Sequence, residues 1–257
     1  MSENIITILQ RHPLATASAA IALAAAIPAY RDYRLYKSYG AGGPPHNVVG
    51  WYVSRFIITP FRQESISTQM YEEAIDKGKS KSYISFMDGR LPRRKGGRPA
   101  IGSHAAPNRQ TSQIPSDEMK EDLLTAFNDF AAKNSHLVRL APSRLEGGHS
   151  EAMWLIDGIP KSPEAGFTKG ELSHIHTTGD HSLHLILSEA DAKEVIDAGW
   201  GQRHPIAGYT ILGHNVANLP STFLHVYAPR NQEELDVVME IIRASVRNAS
   251  LGGDPIP

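Results

Sequence analysis

Hydrophobic and polar positions along this chain change rhythm several times. From Pro13 to Tyr30 there are eighteen consecutive uncharged residues, PLATASAAIALAAAIPAY, near the lower limit for a bilayer-spanning helix. Alanine dominates the stretch, and Pro28 is expected to end the helix early. Farther on, Met119, Leu123, Leu124, Phe127 and Phe130 recur at helical spacing behind Ser116, which predicts a capped amphipathic helix. Short runs with strand character follow at HLVRLA, AMWLIDG, ELSHIHT and SLHLILS. Ser188 and Asp191 then open a short helix that stops at Gly199. After the strand-like FLHVYAP, Asn231 and Glu234 open a last helix with Leu235, Val238, Ile242 and Val246 facing inward. This order predicts an α+β fold: a largely antiparallel sheet with flanking helices, preceded by an N-terminal membrane-anchor helix.

The connecting segments divide the chain further. The run GAGGPP from Gly40 to Pro45 reads as a hinge. NVVGWYVSRFIITPFRQES has a dense apolar face that suits helix or strand, with Trp51 and Tyr52 suited to a headgroup layer or to packing on the domain. Lys77 to Arg98 holds eight Lys or Arg residues against one acid, Asp88, and is expected to be a solvated loop. Three parts result: an anchor with its flanks at 1–38, a hinge and basic connecting region at 39–100, and an α+β domain at 101–257. Arg31, Arg34 and Lys37 follow the apolar segment while Arg11 alone precedes it, which favours a single-pass anchor with a cytosolic body over a cleaved signal peptide or a soluble or interfacial helix.

Composition narrows the chemistry. A net charge of −1 gives no argument for a nucleic-acid partner. Cysteine is absent, which removes thiolate metal sites, iron–sulfur clusters and cysteine nucleophiles. G-x-S-x-G, G-x-x-x-x-G-K and G-x-G-x-x-G patterns are absent as well, so nothing announces a serine elbow, a phosphate loop or a dinucleotide.

What remains is histidine. Five of the twelve, His174, His176, His181, His184 and His204, lie between Glu171 and Gly208. On a strand, His174 and His176 share a face. A five-residue loop from Thr177 to His181 would set His174 opposite His184 and gather three imidazoles, whereas a two-residue Gly179-Asp180 turn would send His184 to the other face. Asp180 can orient a neighbouring ring. The H-x-H-x7-H spacing also supplies neutral nitrogen ligands, so His174, His176 and His184 as a metal site is the alternative to a metal-free one. After the helix stop, Trp200, Arg203 and His204 fall on a loop where Arg203 suits a planar oxygen anion and His204 a proton donor or acceptor; equally, Trp200 can fill the core and Arg203 make a structural ion pair.

At these residues the chain resembles the fungal luciferase family, most strongly over HIHTTGDHSLHL, KEVIDAGWGQRHPIAG and YAPRNQEE, and more weakly at RDY, FRQES, RPAIGSH and AMWLIDGIP. The resemblance implies an O2-dependent, luciferase-like oxygenase at 101–257 acting on a 3-hydroxy-2-pyrone or related enolic polyketide. In this reaction CO2 leaves and, in luminous members, the product emits light. It implies no cofactor beyond O2, a small aromatic or pyrone substrate, and attachment to the ER membrane through the N-terminal helix. His174, His176, His184, Asp180 and His204 are the expected catalytic set. Arg203, Trp200, His104, His149, Tyr227 and Arg230 are the expected substrate-binding set. Gly179 and His181 stand where histidine and cysteine are expected in the luminous enzyme, and the connection from Gly208 to Phe223 is longer. Two other classes fit the same histidines: a metal-dependent hydrolase or dioxygenase, and a membrane-tethered protein that binds a small molecule without turning it over.

Overall fold

A computed structural model describes residues 13–86, 90–215 and 217–256. The chain divides into two compact units, Met1–Ser38 and Tyr39–Pro257. In the first, helix α1 (Pro13–Ser38) is long and apolar enough to cross a membrane. It continues past Pro28 rather than ending there, since a proline removes only one backbone hydrogen bond and the flanking alanines are good helix formers.

The second unit is built on a six-stranded antiparallel sheet with strand order β1-β2-β3-β4-β8-β5. The strands are β1 (Val138–Pro142), β2 (Glu151–Leu155), β3 (Glu171–Ile175), β4 (Leu183–Ile186), β5 (Gly201–Arg203) and β8 (Phe223–Val226). A two-stranded hairpin, β6 (Thr210–Ile211) and β7 (His214–Asn215), fills the connection between β5 and β8. Period-two alternation gives the sheet two chemically different faces. Ile175, Leu183, Leu185, Leu224 and Val226 form one face and join a single core with α4 (Asp117–Lys133) and α7 (Gln232–Ala249). The expected caps close these helices: Ser116 Oγ accepts from Met119 N at 3.3 Å, and Asn231 Oδ1 from Glu234 N at 3.0 Å. The other face carries His174, His184 and His225.

The first sixty residues of this unit are more tightly held than the sequence suggests. Val48–Phe61 is helical throughout, with α2 (Val48–Tyr52) capped by Asn47 and continued by π and 3-10 turns. After α3 (Gln69–Asp76), the basic run is not a free loop. Ser188 Oγ caps α6 (Glu189–Asp197) by accepting from Asp191 N at 3.2 Å, as the sequence predicts, and the Asp191 carboxylate also accepts from Ser82 Oγ at 2.6 Å and Tyr83 N at 3.0 Å. Glu240 of α7 accepts from Ser85 N at 2.8 Å, and Trp200 Nε1 donates to Pro92 O at 2.6 Å.

Gly40–Pro45, expected as a hinge, begins in close contact with the β3–β4 turn. Gly40 has φ +79°, and a Cβ there would lie 2.1 Å from Thr178 O, while one on Gly179 would lie 2.7 Å from Tyr39 O. The two glycines let this segment and the β3–β4 turn interlock at backbone distance, which no other residue type permits.

Candidate active site

The β3–β4 connection is the five-residue one. His174 pairs with His184, and His176 N donates to Ser182 O at 2.9 Å across the turn. One strand farther, His184 pairs with His225, and His225 with Gln202 of β5. A single cross-strand row therefore reads His174, His184, His225, Gln202. His176 and His204 flank it. Ring centroids are 4.6 Å apart for His176–His184, 4.8 Å for His184–His204 and 5.2 Å for His184–His225, with Phe223 stacked on His184 at 5.0 Å. All five imidazoles are buried, so the face is not the open cleft that polar strand positions suggest.

Each ring is held by its Nδ1. His184 Nδ1 lies 3.1 Å from Leu224 O, which can only accept, so His184 carries its proton there and directs an Nε2 lone pair into the cluster. Ser182 Oγ donates to Asp180 Oδ2 at 2.6 Å, so its 2.9 Å contact with His176 Nδ1 must be accepted from the ring. His174 Nδ1 bonds Glu171 Oε1 at 2.9 Å, and His225 Nδ1 bonds Asn108 Oδ1 at 2.6 Å. His204 is the exception. Its Nδ1 accepts from Ile206 N at 3.3 Å, leaving an Nε2–H donor. Among the described residues, the buried Nε2 atoms of His174, His176 and His225 have no hydrogen-bond partner.

Charge beside the row comes from residues that periodicity did not reveal. Arg109, 1 % exposed, bonds Glu146 Oε2 at 2.6 Å and the carbonyls of Tyr39, Ala41 and Asn108 at 3.1–3.3 Å. Glu146 Oε1 in turn lies 3.7 Å from His174 Nε2 and 3.9 Å from His176 Nε2. Burial pulls the Glu171 carboxyl up, but bonds from His174, Ser143 and Leu145 N outweigh it and hold the group below the usual carboxylate value. Burial pushes Asp180 up to about 6, against Arg109, Ser182 and Gln110 N.

Burial, followed by neighbouring positive groups, holds His176, His184 and His225 well below the ordinary histidine value and His204 at about 3. Unfolded, these rings take protons near 6.5. Their stabilising contribution is therefore complete above about pH 6.5 and is lost as pH falls from there toward about 3. Asp180 acts oppositely below about 6, but it is one group against four. Chelator-treated protein should lose urea resistance between pH 7 and 5, by about 1.4 kcal/mol per pH unit for each proton taken up on unfolding. A flat profile would contradict the buried, neutral state of His176, His184, His204 and His225.

The model of the luciferase domain family matches residues 169–245, which contain all five clustered histidines. Over 251 residues the chain is 35% identical to the luciferase of Armillaria ostoyae, covering 93% of this chain and 89% of that protein. It is 31% identical to the luciferase of Neonothopanus nambi over 254 residues, 95% of this chain and 90% of that one. The chain belongs to the fungal luciferase family. No solved structure matches it.

Within this luciferase-family fold the expected site residues separate. His174, His176, His184, Asp180 and His204 come together. Tyr227 lies at the margin, 5.9 Å from His225 by ring centroids, with its hydroxyl on Gln202 Oε1 at 3.0 Å. Arg203 is turned away. Residues 201–203 are strand rather than loop, so Gln202 takes the histidine face while Arg203 bonds Ser67 O at 3.1 Å and the Glu64 carbonyl. Trp200 fills the core, Arg230 pairs with Glu234, and His149 is exposed in the β1–β2 connection. His104 is buried edge-on to Tyr39 at 5.6 Å, outside the row. Sequence reasoning missed His225, Arg109, Asn108, Glu146 and the orienting role of Glu171.

Proposed function

We propose that this protein is a luciferase-like oxidoreductase that adds O2 to a 3-hydroxy-2-pyrone, or a related enolic polyketide, with loss of CO2. The observation that carries the reading is the cluster of buried imidazoles in which His176, His184 and His225 donate through Nδ1 and so keep an Nε2 lone pair, in a chain whose relatives are luciferases. A neutral imidazole accepts the enolic proton; His176, His184 and His225 each present the required lone pair. The electron-rich ring then reduces O2, a carbon–oxygen bond forms, and the peroxide closes on the lactone carbonyl before CO2 departs. Pyrone plus O2 gives 2-keto acid plus CO2, a sum that balances without an external reductant. The His204 tautomer, with its proton on Nε2, supports a donor role toward the developing oxyanion.

The aromatic arm of such a substrate suits the apolar groove beside His204, about 320 Å³, lined by Ile57, Ile58, Phe61, Ile206, Tyr209, Ile211 and Ala217. Filling it with Ala217→Trp should raise KM for an aryl-pyrone about tenfold or more while leaving kcat near the parent value, because lost groove contacts bind substrate and transition state alike. Equal losses in kcat would place the arm elsewhere.

Helix α1 supports a single-pass anchor, and the charges after it support a cytosolic body. Added protease should therefore digest residues 39–257 in intact microsomes; protection would reverse the orientation. The reaction itself is tested with an oxygen electrode, CO2 trapping and a luminometer on the full-length protein and aryl 3-hydroxy-2-pyrones. One O2 consumed per CO2 released supports the reading. Absence of oxygen uptake across that series would leave the binding-protein class standing.

A further inference from the structure

The geometry points to a binding site for one divalent first-row transition ion, held by the Nε2 atoms of His174, His176 and His184. Ligand nitrogens of these three residues all lie within 4.8 Å of one another, and all three side chains are buried. Metal–nitrogen bonds of about 2.1 Å set tetrahedral ligands roughly 3.4 Å apart, so small ring rotations bring the set into register.

Three observations single out a metal among the possible occupants. Among the described residues, the buried Nε2 atoms of His174 and His176 have no hydrogen-bond partner, a state that costs free energy until a ligand engages them. Next, every Nδ1 in the set is occupied from behind: His174 by the Glu171 carboxylate, His176 by Ser182 backed by Asp180, and His184 by the Leu224 carbonyl. That is the outer arrangement that fixes ring orientation and tautomer at histidine metal centres. Glu171 is itself fixed by Ser143 Oγ at 2.6 Å and Arg144 N at 2.9 Å, so the support is rigid two layers deep. Finally, Glu146 Oε1 stands 3.7 and 3.9 Å from the Nε2 atoms of His174 and His176, where a carboxylate balances part of a dication's charge.

Three imidazoles suit zinc, iron, copper or nickel better than calcium or magnesium. Three protein ligands also leave coordination positions open. Resting on the pyrone reading above, those positions have a natural occupant: the adjacent hydroxyl and carbonyl oxygens of a 3-hydroxy-2-pyrone, which close a five-membered chelate ring. His225, one strand away with its Nε2 unclaimed, then remains as the acceptor for the enolic proton.

The test uses full-length protein in detergent, stripped with a chelator and titrated with Co2+ and Zn2+. One ion per chain is expected by elemental analysis, with visible ligand-field absorption for Co2+ and a raised thermal midpoint. His174→Asn, His176→Asn and His184→Asn should each weaken the ion at least 100-fold, while exposed His136→Asn should not. Glu171→Gln, which leaves the three ligands in place, should weaken it about 10–100-fold. Folded, stripped protein that takes up no stoichiometric ion overturns the inference, as does parental Co2+ affinity in all three ligand variants. The arms are separable. Full oxygen uptake on hydroxypyrones by chelated protein overturns the metal and leaves the pyrone reading intact. A stoichiometric ion with no pyrone turnover retains the metal and overturns the pyrone.

Discussion

His184→Gln is expected to lower pyrone turnover about 10²–10⁴-fold, the usual scale for losing a positioned proton acceptor. His184 is the residue on which the row converges, with His174, His176, His204 and His225 all within 5.4 Å by ring centroid and Phe223 stacked on it. Its tautomer is fixed by a carbonyl rather than by an exchangeable side chain, so the Nε2 lone pair is permanently presented. Both the proton-acceptor role and the metal-ligand role use that lone pair. Glutamine nearly conserves the volume, and its amide can still donate to Leu224 O, so the fold should survive. Oxygen consumption under saturating substrate measures the effect, and circular dichroism confirms the fold. Parental turnover in a folded variant would move the chemistry away from this row.

Arg109→Met is expected to be the most damaging single change to stability. The guanidinium is buried with Glu146, and its other donors serve three backbone carbonyls. Removing it strands a buried carboxylate, a loss of about 3–5 kcal/mol. For a body of this size that is roughly 10 °C in thermal midpoint. The pair itself need not be net stabilising, because desolvation opposes the attraction between its members. The double variant Arg109→Met/Glu146→Leu should therefore melt above the single one. If the two variants melt together, the stranded carboxylate is not the source of the loss.

The sheet and its helices were legible because their information is local. Ser116, Ser188 and Asn231 each announce a helix start within three residues, and H-x-H on a strand fixes a shared face whatever the tertiary context. The parity of Thr177–His181 could be framed from sequence but needed coordinates to decide. His225 went unseen for a different reason. FLHV repeats the alternation of LHLI, yet nothing local says that β8 pairs with β4 after a long connection and a hairpin. Arg109 and Asn108 lie on aperiodic chain and reach the site only through long-range contacts. For Arg203 one structural state decides between the two readings: on a loop it can point anywhere, but on a strand next to Gln202 it takes the opposite face, where it pairs with Glu64.

The interlocked glycines also make two distant stretches of sequence answer to each other. Tyr39 offers its carbonyl to Arg109, and Ala41 accepts from Thr178 Oγ1 in the turn that holds Asp180. A side chain at Gly40 or Gly179 would press these two backbones apart. A substitution far upstream in sequence is therefore felt at Asp180 as directly as one beside it.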